Sequence, residues 1–181
     1  MNFSVRRIII LIVFLAALGR TCMASPNSGN DYVPFNVGKA GATASYEFHI
    51  SWLTEKYPRN LYMTIKSKDS RNDKDRNSQA EKLDALMESI TGVTVINYKG
   101  ENVPPKPHKG IRLYVVWAEK ESGKILRQRT IYADKSRGLN LGVDGISLPS
   151  GNYVVTVRAL DDDPRFDGTF KVGISVGYRW K

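Results

Sequence analysis

Cysteine is almost absent: the 181 residues contain one, Cys22. A single cysteine excludes an intramolecular disulfide scaffold. Histidine is nearly as scarce, with only His49 and His108. A metal site would need Asp or Glu ligands converging on one of them, and no spacing suggests it. No Gly-x-Ser-x-Gly elbow is present to seat a serine nucleophile. No block of like charge and no nucleic-acid motif is recognisable. Internal repeats are absent too. The longest apolar run, Ile8 to Leu18, has eleven residues, well short of the roughly 20 a spanning helix needs.

That short run has a meaning of its own. Arg6 and Arg7 precede it, and Cys22-Met23-Ala24 places small residues at −3 and −1 of a cut before Ser25. This is the layout of a secretory signal peptide over 1–24, so the expected location is periplasmic or secreted after cleavage near Ala24. Cys22 would leave with the leader. Membrane attachment is expected only if Cys22 is instead a lipid anchor, and Gly19-Arg20-Thr21 fits that pattern poorly. Residues 25–181 remain as one domain, long enough for a sizeable core. Removing Arg6, Arg7 and Arg20 leaves 24 basic and 18 acidic residues, a charge of +6. That excess suits an acidic partner or ordinary solubility.

The remaining pattern is one of strands. Tyr32 to Val37 is a short strand that Pro34 confines to an edge. From Thr43 to Trp52, Tyr46, Phe48, Ile50 and Trp52 alternate with polar residues, predicting a strand with its aromatics buried. Leu61, Met63 and Ile65 mark a shorter one. Lys68 to Asn77 lacks any apolar residue and reads as a loop. Ser78 and Glu81 form a capping box for one amphipathic helix over 78–91, with Leu83, Leu86, Met87 and Ile90 on one face and Gly92 as its cap. Short strands follow at 93–98 and 139–143. Ile111 to Ala118 and Ile125 to Ala133 flank Glu121-Ser122-Gly123-Lys124 as a hairpin. Leu148 to Leu160 and Phe170 to Trp180 close the chain. Many short strands, turn residues between them and a single helix predict a mainly β protein. The expected fold is an antiparallel, Ig-like β-sandwich with one inserted amphipathic helix.

Candidate chemistry is sparse. Asp161, Asp162, Asp163 and Asp167 could hold Ca²⁺, but Asp-Asp-Pro is also a plain turn former, and both readings stay open. Arg127 and Arg129 are read as outward positions of their strand. With Arg112 they would make a basic stripe beside Tyr114, and Arg112, Tyr114, Arg127 and Arg129 are the predicted partner-binding residues. No catalytic residue, metal ligand or cofactor is expected.

Three stretches carry a family-level likeness: Tyr-x-Pro-Phe-x-Val at 32–37, the aromatic alternation at 46–52, and Leu-Pro-x-Gly-x-Tyr at 148–153. With the leader, they resemble small exported β-sandwich proteins of Gram-negative bacteria. Those belong to uncharacterised lipoprotein-like families, and some are immunity proteins against secreted antibacterial effectors. The resemblance implies no catalytic residues. The small exported chain, the lack of a catalytic constellation, the aromatic and arginine surface candidates and the basic excess lead to the expectation of a non-enzymatic periplasmic binding protein with a protein partner, an effector enzyme being the specific candidate. The alternative is a module that binds carbohydrate or another cell-envelope polymer.

Overall fold

Alternation of apolar and polar residues builds two antiparallel sheets whose apolar faces meet. The structure, a computed structural model, describes residues 32–67, 73–92, 107–137 and 140–178. The leader with Cys22, the strand expected at 93–98, and Arg179 and Trp180 lie outside the described residues. The strands are β1 (Val33–Pro34), β2 (Thr43–Ile50), β3 (Arg59–Ser67), β4 (Ile111–Glu119), β5 (Ile125–Ala133), β6 (Lys135–Arg137), β7 (Asn140–Ile146), β8 (Gly151–Ala159) and β9 (Phe170–Tyr178). One sheet has the order β1-β9-β3-β7-β6, the other β2-β8-β4-β5. The fold is the expected antiparallel β-sandwich with one inserted helix.

Strand β3 is the centre of the first sheet, bonded to β7 and β9. Its Leu61, Met63 and Ile65 are fully buried. They face Leu113, Val115 and Trp117 of β4 and Val155 and Val157 of β8, also fully buried. Each such side chain contributes about 1.5–3 kcal/mol relative to exposure. Phe48 meets Trp117 edge-on at 5.9 Å and Tyr153 at 5.7 Å between ring centroids. The segment from Leu148 thus enters the core as anticipated, with Tyr46 and Phe48 of β2 opposite Val155 and Tyr153 of β8.

Two expectations require correction here. Strand β2 ends at Ile50, so Trp52 is outside the strand and 73 % exposed. The helix α1 runs over Asp73–Thr91, five residues longer at its start than the capping box implied. Asp73 and Asp75 suit a helix N-terminus, and the polar run before Ser78 is therefore partly helical. Its apolar face is as predicted: Leu83, Leu86, Met87 and Ile90 are buried. Gly92 ends it at φ +71, its N–H donating to Glu88 O at 2.8 Å, a left-handed cap that favours glycine. Among the described residues no helix is long and apolar enough to cross a membrane.

The helix is tied to the loop between β8 and β9. Arg165 donates through Nη1 to Ser89 O at 3.0 Å and through Nε and Nη2 to the Asp163 carboxylate at 2.8 and 2.6 Å. Burial pushes the Asp163 carboxyl up, but the Arg165 bonds and charge outweigh it, so the group titrates below its ordinary 3.8. A lowered folded pKa gives stability that is present above the unfolded value and lost as pH falls through the folded one. The melting temperature of Asp163→Asn should therefore lie below that of the wild type at neutral pH. The gap should close as pH drops below 3.8. A gap that persists unchanged at low pH would contradict this.

Candidate functional site

Register decides where the four predicted partner-binding residues go. Residues directly opposite on neighbouring strands share a face. Arg112 faces Tyr132 and Tyr114 faces Thr130 on the outer surface of the four-stranded sheet. There Arg112 pairs with Asp161 at 2.6 Å, which raises its pKa, and the Tyr114 hydroxyl donates to Gln128 Oε1 at 3.0 Å. Arg129 instead lies opposite Val115 and Arg127 opposite Trp117, both buried. The structure therefore does not assemble one stripe. It puts Arg112 and Tyr114 outside and turns Arg127 and Arg129 toward the other sheet.

The cause is a bulge. Ala118 pairs with Ile125 but Trp117 with Arg127, so Leu126 is the extra residue and every later side chain of β5 changes face. A second bulge does the same on β7. Leu61 pairs with Asp144 but Tyr62 with Gly142, which makes Val143 extra and turns Asp144 inward. The Asp144 side chain is fully buried between the sheets. Its Oδ2 accepts from Trp117 Nε1 at 3.0 Å, and its Oδ1 from Gly145 N at 2.7 Å and from Arg129 Nη2. Arg127 donates to Gly145 O at 2.7 Å. This cluster closes one side of the sandwich, and its arginines hold structure together.

The four acidic residues of the β8–β9 loop are also dispersed. Asp161 holds Arg112, Asp162 accepts from Ala40 N, Asp163 holds Arg165, and Asp167 accepts from Thr169. Each carboxylate has a separate partner. Among the described residues no three His, Cys, Asp or Glu side chains converge as metal ligands.

A feature the sequence reading missed lies at the end of the sandwich where β2 finishes. The segment 51–58 is folded on itself: Thr54 N bonds Ser51 O at 3.0 Å and Tyr57 N bonds Thr54 O at 3.1 Å. Arg59, 3 % exposed, donates through Nη2 to Thr54 Oγ1 at 2.7 Å and to Thr54 O at 3.1 Å. Glu55 accepts from Ser150 N at 3.2 Å. Trp52 and Leu53, 73 % and 61 % exposed, project from this pinned loop. Beside it a cleft of about 600 Å³ opens between β2 and β9, lined by Phe48, His49, Thr54, Arg59, Asn152 and Val176 among others. His49 Nδ1 is hydrogen-bonded to Asn152 Oδ1 at 2.8 Å. Lys120 pairs with Glu47 at 2.6 Å, which raises its pKa. A second cleft, about 720 Å³ and lined by Phe35, Phe166 and Phe170, lies at the opposite end. The signal for the first was Trp52-Leu53 immediately before a Thr-Glu-Lys-Tyr-Pro turn, where alternation stops being informative.

Fold and surface define a β-sandwich domain with two clefts and an exposed loop that carries a tryptophan. A family model matches residues 32–178, and the chain belongs to that family, the domain of unknown function DUF5625. No curated protein matches the sequence. A protein from Sulfurospirillum deleyianum, known from its crystal structure, shares the fold at a TM-score of 0.61 and 13% identity, over 83% of this chain and 97% of that one.

Removing the Asp144 carboxylate leaves the buried Trp117 N–H and Arg129 without their acceptor and takes away the charge 3.9 Å from Arg127. Asp144→Ala should cost about 2–4 kcal/mol of stability in chemical denaturation. Arg127→Ala and Arg129→Ala should each cost about 1 kcal/mol, being 34 % and 43 % exposed. An unchanged denaturation midpoint for Asp144→Ala would remove the cluster from the list of structural ties.

Proposed function

We propose that this is an exported, non-enzymatic binding protein that seats a protein partner on the Trp52–Leu53 loop. The observation that carries the reading is the loop itself. Two adjacent large apolar side chains stand in solvent on a backbone fixed by turn bonds and by Arg59. Single exposed apolar residues are ordinary, but a rigid tryptophan beside a leucine is the kind of anchor that carries interface energy. A pinned loop also loses little conformational entropy when it binds. Export is supported by the leader-like residues 1–24, and the likeness to immunity proteins makes a secreted effector enzyme the partner class to test first.

The test is capture from periplasmic extract, followed by titration of the captured protein. Trp52→Ala and Leu53→Ala should each weaken binding by about 2 kcal/mol, roughly thirtyfold. The circular dichroism spectrum should not change, because neither side chain is part of the core. Equal affinity of both variants and the wild type would sink the loop as the docking element.

A further inference from the structure

Strand β9 is covered unevenly on the side away from β3. Strand β1 lies against it only as Val33 opposite Ile174 and Pro34 opposite Gly173, with Phe35 N–H donating to Val172 O at 2.8 Å just beyond. In an antiparallel ladder a residue bonds one neighbour through both its N–H and its C=O, and the next residue turns to the other side. Val172 and Ile174 therefore face β1. Gly173, Ser175 and Gly177 face β3, opposite Thr64, Tyr62 and Asn60. By the same count the N–H and C=O of Val176 and of Tyr178 point to the side away from β3. Among the described residues no strand pairs with them there.

That stretch lacks the usual protections of an edge. Native sheets blunt exposed edges with lysine, proline, bulges or a covering loop. From Val172 to Tyr178 the strand carries no charge and no proline, and its ladder to β3 runs without a shift in register. The chain's own continuation is a poor cover. The chain bends at Tyr32, whose ring lies against Gly173. The residues before it, 25–31, include a proline, a glycine, an aspartate and two asparagines, types depleted in strands. The open stretch also borders the cleft of about 600 Å³, with Val176 and Gly177 on one wall and Phe48 and His49 of β2 on the other. Val176 is opposite the buried Leu61 and so belongs to the inner face. Val176 and Phe48 are half-buried and pack on the core. A row of backbone donors and acceptors thus lies directly beside an apolar floor.

We propose that this edge takes an extended peptide segment of a partner protein, which adds to β9 as a strand in line with β1. The peptide backbone bonds Val176 and Tyr178, which are two residues and about 7 Å apart along the strand. Another extended backbone matches that spacing and supplies main-chain hydrogen bonds, while pockets for alternate side chains supply specificity. Here the side chain opposite Val176 points into the cleft against Phe48 and is apolar. A sugar polymer or a lipid does not present amide donors and carbonyl acceptors in that alternation. The proposal needs only the edge of β9 and is independent of the reading given for the Trp52–Leu53 loop.

The first arm of the test is amide hydrogen exchange, read by nuclear magnetic resonance on the purified protein. The Val176 N–H should exchange fast, and those of Ser175 and Gly177, bonded to β3, slowly. Slow exchange of Val176 in the monomer would mean that the chain covers its own edge. Slow exchange only in a dimer would give the edge to a second copy. Either result overturns the proposal. The second arm selects binders from a displayed library of random linear peptides. Enriched peptides should alternate apolar and polar residues and should slow the exchange of Val176 when bound. N-methylation of the peptide amides should lower affinity about tenfold or more at the alternate positions that face β9, and little at those between. This modification leaves the protein untouched, so the result does not depend on whether a variant folds. No enriched peptide, equal tolerance of N-methylation at every position, or protection of β2 amides in place of Val176 would each overturn the proposal.

Discussion

The buried Asp144 carboxylate is the constraint around which one flank of the sandwich is arranged. A charge placed between two apolar sheets is costly unless it is bonded on every side. Here the bonds come from both sheets: Trp117 and Arg129 from one, the Gly145 backbone N–H from the other. The carboxylate therefore links β7 to β4 and β5, which belong to the other sheet. It faces inward only because β7 is bulged at Val143, and it meets a guanidinium only because β5 is bulged at Leu126. Without the β5 bulge the buried carboxylate would lose its guanidinium, and without the β7 bulge the two inward arginines would lose the carboxylate. The two irregularities make sense as one device.

Closing that flank with a polar cluster leaves the opposite flank free to differ. Between β2 and β9 the 600 Å³ cleft opens. Arg59 sits at this end with its guanidinium turned to Thr54. It thereby fixes the loop that carries Trp52 and Leu53. A buried cation is expensive to hold, and an exposed tryptophan forgoes burial worth several kcal/mol. Both departures from ordinary burial occur within eight residues of each other. Sites at which local rules fail together are where function is expected.

The strands and the helix face were legible because their signal is periodic. Leu61, Met63 and Ile65, and Ile111, Leu113, Val115 and Trp117, keep a period of two because the extra residues of both bulges lie on the partner strands β7 and β5. Leu83, Leu86, Met87 and Ile90 follow the helical period. The failures occurred where one residue breaks that count. Leu126 shifts Arg127 and Arg129 to the inner face, and nothing in Ile-Leu-Arg-Gln-Arg announces it. Trp52 continues the alternation of β2 by parity, but the strand stops at Ile50 where Ser51 and Thr54 begin to turn. The three residues of β6 are too short to carry a period. The helix start at Asp73 lay hidden because solvated first turns look like loops. As for the site, the residue types were visible and their faces were not. Arginine and aromatic content suggested a binding surface, and register then dispersed the four chosen residues.

The same register argument bears on how one small sandwich can present two unlike surfaces. In the five-stranded sheet the inner rows are filled by large apolar residues, whereas the outer rows of β9 are Gly173, Ser175 and Gly177. Glycine in a strand interior weakens it by roughly 0.5–1 kcal/mol. Two such positions on one strand are a real cost, and packing does not require both in the same way. Gly173 has the Tyr32 ring directly against it, so a side chain there would collide. Gly177 has only ordinary contact with Tyr62, and a methyl group would fit. What alanine would change at Gly177 is the height of the surface beside the ring. The core therefore accounts for the inner half of β9, the N-terminal segment accounts for Gly173, and the relief around Tyr62 is left as the role of Gly177.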